Sequence, residues 1–200
     1  MRIGILALQG AFAEHAAMLD RLQVPHFEIR QAEDFFRSPP DGLILPGGES
    51  TTMGKLLREL GLFEPIRRRI LGGMPVFGTC AGLILLAKKL ANDERRHFAT
   101  MDLCVERNAY GRQLGSYRAE GVFTGVGTVP MVFIRAPHIA RTLSDKVQIL
   151  AEVDGRIVAA REGNQLAVCF HPELTAHTDI HRYFLDMVKA AEHCGSAEAG

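Results

Sequence analysis

The chain has 200 residues, and its 23 basic and 23 acidic side chains cancel to a formal net charge of zero. This length suits one domain with one hydrophobic core. The charge balance favours neither nucleic acid nor a membrane surface as a partner, and no apolar run approaches the roughly 20 residues of a membrane-spanning helix. The amino terminus lacks the layout of a secretory signal, and the four cysteines have no zinc-site or redox-pair spacing. We therefore expect a reduced, cytoplasmic protein without a bound metal.

Strands and helices are expected to alternate through the first half of the chain. The apolar runs that predict strands are Arg2–Leu8, Phe27–Arg30, Gly42–Leu45 and Pro75–Phe77. Helical spacing predicts helices after Gly10, after the N-cap candidates Ser50-Thr51-Thr52, and over Phe63–Leu71 and Ala81–Leu90. Such alternation is typical of a parallel sheet covered by helices on both faces.

The second half is richer in strands, which are predicted over Asp102–Glu106, Gly121–Phe123, Val132–Ile134, Val147–Val153, Arg156–Arg161 and Leu166–Phe170. A hairpin turn is predicted at Asp154-Gly155, and apolar spacing from Ile180 to Ala191 predicts a closing helix. The expected fold is an α/β three-layer sandwich with a mostly parallel, mixed central sheet. Residues 1–194 would form one domain, and residues 195–200 a disordered tail.

A cysteine lies in the sharpest local feature of the sequence, Gly78-Thr79-Cys80-Ala81-Gly82, between a predicted strand and a predicted helix. This spacing is that of a nucleophile elbow with cysteine in place of serine. The flanking glycines remove the Cβ atoms that would clash in so tight a turn. The helix N-terminus favours the reactive thiolate, and the N–H of Ala81 points to where an oxyanion would form. A buried cysteine without a chemical role is the alternative.

The segment His171-Pro172-Glu173 follows a predicted strand. Proline keeps such a segment extended, and side chains two residues apart on an extended chain point the same way. His171 could then deprotonate a thiol while Glu173 orients the imidazole. Ordinary polar residues also occur at strand ends. The motif supports a catalytic role mainly in combination with Cys80, because both features lie at the edge where open α/β sheets bind ligands.

The loop Pro46-Gly47-Gly48-Glu49-Ser50-Thr51-Thr52 is a third candidate, again between a strand and a helix. Two glycines permit close backbone approach and leave free N–H groups, which an oxyanion hole requires. A phosphate-binding loop is the competing interpretation, but the Gly-Lys-Ser/Thr ending is missing. A simple helix-capping loop is the third possibility.

With these motifs in this order, the chain resembles the class I glutamine amidotransferases, and within them the glutaminase subunits of pyridoxal 5'-phosphate synthases. The resemblance covers nearly the whole chain. The strings that narrow it are Gly47-Gly48-Glu49-Ser50-Thr51-Thr52, Glu106-Arg107-Asn108 and Phe133-Ile134-Arg135-Ala136-Pro137. Further matching strings are Leu6-Ala7-Leu8-Gln9-Gly10, Gly111-Arg112-Gln113 and His171-Pro172-Glu173-Leu174-Thr175.

The resemblance implies a catalytic triad of Cys80, His171 and Glu173. It implies that Gly48 and Ala81 stabilise the oxyanion, and that glutamine is bound by Gly48, Glu49, Ser50, Arg107, Ile134 and Arg135. It also implies hydrolysis of L-glutamine to L-glutamate, with the ammonia passed to a barrel-shaped synthase subunit near whose interface Gln9 would lie. Pyridoxal phosphate would be the product of that complex, so we expect no cofactor on this chain.

Other functions remain compatible with these residues. A related cysteine hydrolase of the peptidase and deglycase group would also use an elbow cysteine, but it would ignore glutamine and its electrophilic analogues. Another class I glutaminase would carry different residues around the elbow. A non-catalytic binding subunit would keep only the fold, although the presence of Cys80, His171 and Glu173 argues against it. The remaining histidines, among them His15 and His181, have no metal-ligand spacing and are expected to be structural.

Overall fold

Up to Leu86 each strand is followed by one helix, or by two after the third strand, and strands dominate most of the rest of the chain. The computed structural model describes residues 1–91, 93–107 and 115–197, the last four as backbone. Within them the strands are β1 (Ile3–Leu6), β2 (His26–Ile29), β3 (Gly42–Leu45), β4 (Val76–Thr79), β5 (Ala87–Leu90), β6 (Met101–Glu106), β7 (Ser116–Phe123), β8 (Gly127–Ile134), β9 (His138–Thr142), β10 (Gln148–Val153), β11 (Arg156–Glu162) and β12 (Gln165–Val168). The helices are α1 (Phe12–Arg21), α2 (Ala32–Arg37), α3 (Ser50–Glu59), α4 (Phe63–Leu71), α5 (Ala81–Leu86) and α6 (Asp179–Ala197).

One large sheet runs through the molecule in the order β2-β1-β3-β4-β12-β11-β9-β6-β5, with β10 beside β11. All pairs from β2 to β12 are parallel, and so is the pair of β5 with β6. The pairs that join β12, β11, β9 and β6, and the pair of β10 with β11, are antiparallel. Strands β7 and β8 form a separate hairpin. The predicted α/β fold with a mostly parallel, mixed sheet is therefore confirmed.

Alternation along β4 shows how helices cover both faces of the sheet. Phe77 and Thr79 point to one face, where the Phe77 ring packs on Phe184 of α6 with 5.6 Å between ring centroids. Gly78 points to the other face, where α5 passes so close that a Cβ on Gly78 would lie 2.7 Å from the carbonyl carbon of Gly82. Helices α1 and α6 therefore form one outer layer, and α5, with α3 packed against it, belongs to the other.

The run predicted as one helix over Ala81–Leu90 is divided, so that prediction is wrong in its second part. Helix α5 ends at Leu86, and Ala87–Leu90 forms β5 beside β6. Residues 81–87 are all buried, and a run that is apolar on every side has no periodicity that separates helix from strand. The sequence patterns also did not predict strand β9 and helix α2.

Two helix ends differ from the prediction. Helix α3 is capped by Glu49, in place of Ser50-Thr51-Thr52, because the Glu49 carboxylate accepts hydrogen bonds from the N–H groups of Thr51 and Thr52. Helix α6 continues to Ala197, so the expected tail would begin inside it; residues 198–200 lie outside the described part of the chain.

The predicted hairpin at Asp154-Gly155 is confirmed. It joins the antiparallel strands β10 and β11, and its two residues have φ values of 50° and 70°, as a type I′ turn requires. None of the described helices combines the length and the apolar composition that are needed to cross a membrane.

Candidate active site

Cys80 occupies a strained turn between β4 and α5. Its backbone torsions, a φ of 47° and a ψ of −98°, lie in a region that residues other than glycine rarely adopt. Two glycines make the turn possible, since a Cβ on Gly82 would overlap the Leu45 carbonyl oxygen and a Cβ on Gly78 would collide with the backbone of Gly82. The turn places the cysteine at the start of α5, at the carboxyl end of a central parallel strand, as the elbow pattern predicts.

His171 and Glu173 are hydrogen bonded although the segment is not extended as predicted. Pro172–Leu174 forms a single 3-10 turn that begins at the proline, because proline suits the first turn of a helix, where no N–H is needed. The Nδ1–H of His171 donates to Oε1 of Glu173 at 2.6 Å. The Glu173 side chain is fully buried and that of His171 nearly so. The carboxylate therefore fixes the imidazole from its inner side, as the sequence interpretation required.

His171 is held in its protonated form. Burial by itself would lower its pKa, but the hydrogen bond with Cys80, the hydrogen bond with Glu173 and the charges of both groups raise the pKa to about 10. An imidazolium between a thiolate and a carboxylate is the arrangement that activates cysteine nucleophiles.

The loop after β3 packs tightly against the histidine and the first strand. A Cβ on Gly47 would overlap the His171 ring, and the carbonyl of Gly47 accepts a hydrogen bond from the N–H of Ala11 at 2.9 Å. The N–H of Glu49 donates to Oε1 of Gln9 at 2.7 Å, and a Cβ on Gly48 would lie 2.5 Å from that same oxygen. Gln9 is thereby fastened to the two-glycine loop.

Glu49 links this loop to Arg107. Partial burial would raise its pKa, but hydrogen bonds from Thr52 and Thr51 lower it to about 2, so the carboxylate is ionised. It lies 3.3 Å from Nη2 of Arg107, whose Nη1 lies 3.2 Å from Asp93. Asp93 was not predicted as a site residue, since an acidic residue in the charged run Asp93-Glu94-Arg95-Arg96 carries no sequence signal for such a contact.

A cavity of about 470 Å³ joins these residues, and it is lined by Gln9, Gly47, Gly48, Glu49, Ser50, Cys80, Ile84, Arg107, Ile134, Arg135, Pro137 and His171. Of the predicted site residues only Glu173, behind the imidazole, and Ala81, the first residue of α5, do not line it. Ile84 and Pro137 line it without having been predicted. A larger cavity near Phe35, Arg69 and Val188 holds none of the predicted site residues.

Arg135 lies at the edge of the cavity with a strained backbone. Its φ is 42°, and its N–H donates to the carbonyl of Gly115 at 2.7 Å, which holds the residue in that conformation. Within residues 1–91, 93–107 and 115–197, no group of three histidine, cysteine or acidic side chains is placed to hold a metal ion. Asn108 and Gly111-Arg112-Gln113, quoted in the family resemblance, lie outside the described residues.

Several classes of hydrolase place a nucleophile elbow at the edge of an α/β sheet, and sequence comparison decides among them. The chain belongs to the SNO glutamine amidotransferase family, whose profile matches residues 5–190. It is 59% identical over 191 residues to the pyridoxal 5'-phosphate synthase subunit PdxT of Streptococcus pneumoniae (strain CGSP14), covering 94% of this chain and 98% of that protein. The protein of the same name from Haemophilus influenzae (strain PittEE) is 58% identical over 193 residues, 96% of this chain and 100% of its own length.

Solved structures agree with this assignment. A crystal structure of a glutamine amidotransferase superposes with a TM-score of 0.88 at 43% identity, covering 94% of this chain and 98% of that one. A putative GMP synthase component from Thermoplasma acidophilum superposes with a TM-score of 0.69 at 18% identity, over 98% of each chain, and that likeness shows the fold alone. The family resemblance predicted from the motifs is therefore confirmed.

Proposed function

We propose that this chain hydrolyses L-glutamine to L-glutamate and ammonia, as the glutaminase subunit of a pyridoxal 5'-phosphate synthase. The observation that carries the proposal is the placement of Cys80 and His171 in one cavity, with Glu173 hydrogen bonded behind the imidazole. These three residues are the proposed catalytic triad. Membership of the amidotransferase family and the identity of 59% to a PdxT subunit support the choice of substrate and of complex.

The proposed reaction is acyl transfer through a thioester. The Cys80 thiolate attacks the side-chain amide carbon of glutamine. His171 enters the step protonated, because its pKa is raised to about 10, and it donates a proton to the departing ammonia. The neutral imidazole then takes a proton from water, which attacks the thioester, releases glutamate and restores the thiolate and the imidazolium. Glu173 stabilises the imidazolium each time it forms.

The charges around the cavity match a zwitterionic α-amino acid. The guanidinium groups of Arg107 and Arg135 suit its α-carboxylate, and the ionised Glu49 suits its α-ammonium group. Ser50 offers a buried hydroxyl that has no hydrogen-bond partner among the described residues. Ile134 offers an apolar wall for the methylene groups. These residues, together with Gly48, form the proposed glutamine pocket.

Backbone N–H groups of Gly48 and Ala81 are the proposed donors to the oxyanion. Because Gln9 accepts a hydrogen bond from Glu49, the residue after Gly48, a partner that contacts Gln9 can alter the geometry of that loop. We therefore place the barrel-shaped synthase subunit that receives the ammonia near Gln9. Pyridoxal phosphate is then the product of the complex, which we place in the cytoplasm, and neither a cofactor nor a nucleic acid is part of the proposal.

Glutamate release tests the proposal. Wild type, Cys80→Ala and Cys104→Ala are compared with and without a synthase subunit from the same source. Cys104 is a matched control, because it is a cysteine buried in β6, away from the cavity. Glutamate release stimulated by the synthase subunit should persist in Cys104→Ala and fall by about 10³-fold or more in Cys80→Ala.

The alternatives predict different results. Folded wild type that binds the synthase subunit yet releases no glutamate would leave a binding subunit in place of an enzyme. Wild type that hydrolyses peptides or glycated substrates through Cys80, but neither releases glutamate nor reacts with an electrophilic glutamine analogue, would be a cysteine hydrolase of the related group.

A further inference from the structure

A buried cluster of polar side chains lies directly behind the proposed triad. His15 on α1 and His181 on α6 have no exposed surface, and Nδ1 of His15 lies 2.9 Å from Nε2 of His181. Nε2 of His15 lies 3.2 Å from the hydroxyl of Thr79 and 3.5 Å from Oε2 of Glu173. The other carboxylate oxygen, Oε1, accepts from His171. Glu173 therefore lies between an imidazole at the cavity and a second imidazole in the core.

Aromatic packing closes this cluster off from solvent. The Phe77 ring meets both core imidazoles edge to face, with centroid distances of 6.0 Å to His15 and 5.7 Å to His181. The Glu173 side chain has no exposed surface either. Oε2 of Glu173 has no hydrogen-bond partner among the described residues, so Nε2 of His15, at 3.5 Å, is the group placed to donate to it.

The contacts favour one arrangement of protons over the other. If His15 carried its proton on Nδ1, its bare Nε2 would face the Oε2 atom of Glu173, and His181 would bury an unpaired N–H at Nδ1. If His181 donates from Nε2 instead, His15 carries its proton on Nε2 and directs it towards Thr79 and Glu173. Nδ1 of His181, which has no hydrogen-bond partner among the described residues, is then only an acceptor, and buried unpaired acceptors are tolerated better than buried unpaired donors.

Both core imidazoles are neutral. Burial, with a smaller contribution from the positive charge of His171, holds the pKa of His15 well below its usual value, and burial lowers the pKa of His181 to about 4. A neutral N–H orients a carboxylate without cancelling its charge. A neutral His15 therefore does not compete with the imidazolium of His171 for the charge of the carboxylate.

We infer that His15 and His181 are positioning residues for glutamine hydrolysis, which hold the Glu173 carboxylate against His171 through the Nε2–H of His15. The inference rests on the proposed function, and it explains two histidines that spacing alone assigned to structure. His181 sets the tautomer of His15, His15 sets the orientation of Glu173, and Glu173 sets the imidazole that serves Cys80. The hydroxyl of Thr79, the residue before the elbow cysteine, is the hydrogen-bond partner of Nε2 of His15, and the proposed role needs that N–H to turn towards Oε2 of Glu173 as well.

The first test uses the wild-type protein and needs no turnover. Nitrogen-15 NMR of the histidine rings at neutral pH distinguishes a protonated ring nitrogen from a bare one. We expect His15 and His181 both to be neutral Nε2–H tautomers. An Nδ1–H tautomer on His15, or a positive charge on it, would overturn the inference, and this result does not depend on whether a variant folds.

The second test separates positioning from a packing role. His15→Leu removes the donor, whereas His15→Gln can return a neutral N–H close to the position of Nε2. In the complex with the synthase subunit, we expect kcat for glutamate release to fall at least about tenfold in His15→Leu, with KM changed less than about twofold. His15→Gln should recover most of the loss. A kcat that is unchanged in His15→Leu, or no better in His15→Gln, would contradict the inference.

The pKa of His171 supplies a readout that does not require glutaminase activity. In His15→Leu the donor that faces Oε2 of Glu173 is lost and the carboxylate is no longer held against Nδ1 of His171, so the pKa of His171 should fall by roughly one unit or more. His97→Leu is the matched control, because His97 is also buried with an unpaired Nδ1 but packs against Gly54 of α3, and it should leave the pKa of His171 unchanged. A wild-type complex that released no glutamate would refute the proposed function, while the tautomers and this pKa would still decide whether His15 positions Glu173.

Discussion

The proton on His171 is the residue-scale feature on which the proposed chemistry depends. Burial disfavours it, and Cys80 and Glu173 together outweigh burial and raise the pKa to about 10. A group whose pKa rises on folding stabilises the folded state below its unfolded pKa, and that contribution is lost as the pH increases through the folded value. The contribution of the raised His171 pKa is thus full below about pH 6.5, decreases above that value because the folded state then keeps a proton that the unfolded chain loses, and is gone above about pH 10.

Glu173→Gln tests this balance with almost no change of shape. The amide keeps an acceptor for the Nδ1–H of His171 but removes the charge, so the pKa of His171 should fall by roughly 1–3 units. Proton NMR of the His171 ring measures the shift, and glutamate release should fall by about 10²-fold or more. A His171 pKa equal to that of wild type would mean that Cys80 alone maintains the imidazolium.

At the scale of elements, the contact between α5 and β3 determines the geometry of the elbow. Gly82→Ala would drive a Cβ into the Leu45 carbonyl oxygen, and a backbone atom in the middle of a parallel sheet cannot move aside. We expect a loss of about 1–3 kcal/mol in the free energy of unfolding, measured in urea. Gly115→Ala is the control: its Cβ would meet nothing within 4 Å, and its cost should stay within about 0.5 kcal/mol. A urea unfolding midpoint of Gly82→Ala equal to that of the wild type would show that α5 can shift without a loss of stability.

At the scale of the whole molecule, one continuous sheet joins the parallel and antiparallel halves. Cys104 in β6 and Cys169 just after β12 are 2% and 0% exposed, whereas Cys80 is 7% exposed and lines the cavity. Burial also raises the pKa of Cys169 far above its usual range. Reaction of the Cys80 thiol therefore reports on access to the cavity, whereas reaction of the other two thiols reports on unfolding of the sheet.

Iodoacetamide should alkylate Cys80 in the native protein. It should alkylate Cys104 and Cys169 only when the sheet unfolds, and at the same rate as each other. Peptide mass spectrometry over a time course follows each cysteine separately. The rates at Cys104 and Cys169 should increase together with urea, while the rate at Cys80 should change little below the unfolding transition. Labelling of Cys104 ahead of Cys169 would mean that the antiparallel half of the sheet opens independently.

Local features could be predicted from the sequence wherever steric contacts between neighbouring residues determine the structure. The elbow depends on two glycines within two residues of Cys80, and the hairpin depends on the positive φ that Asp154-Gly155 tolerates. Buried parallel strands such as β3 show as uninterrupted apolar runs bounded by glycine and proline. Patterns failed where burial removes periodicity, as at the boundary between α5 and β5, and where Pro172 began a helical turn in place of an extended segment.

The sequence by itself therefore determined the α/β class, the elbow, the two-glycine loop and the family, because each depends on neighbours along the chain. Only the tertiary structure decided that Gln9 is bonded to Glu49, that Arg107 lies between Glu49 and Asp93, and that His15 meets His181. His15 and His181 lie 166 positions apart, and their helices come together only because the sheet order brings α1 and α6 to the same face. No local pattern encodes such a pair, since hydrogen-bond partners across a core are chosen by topology and not by spacing along the chain.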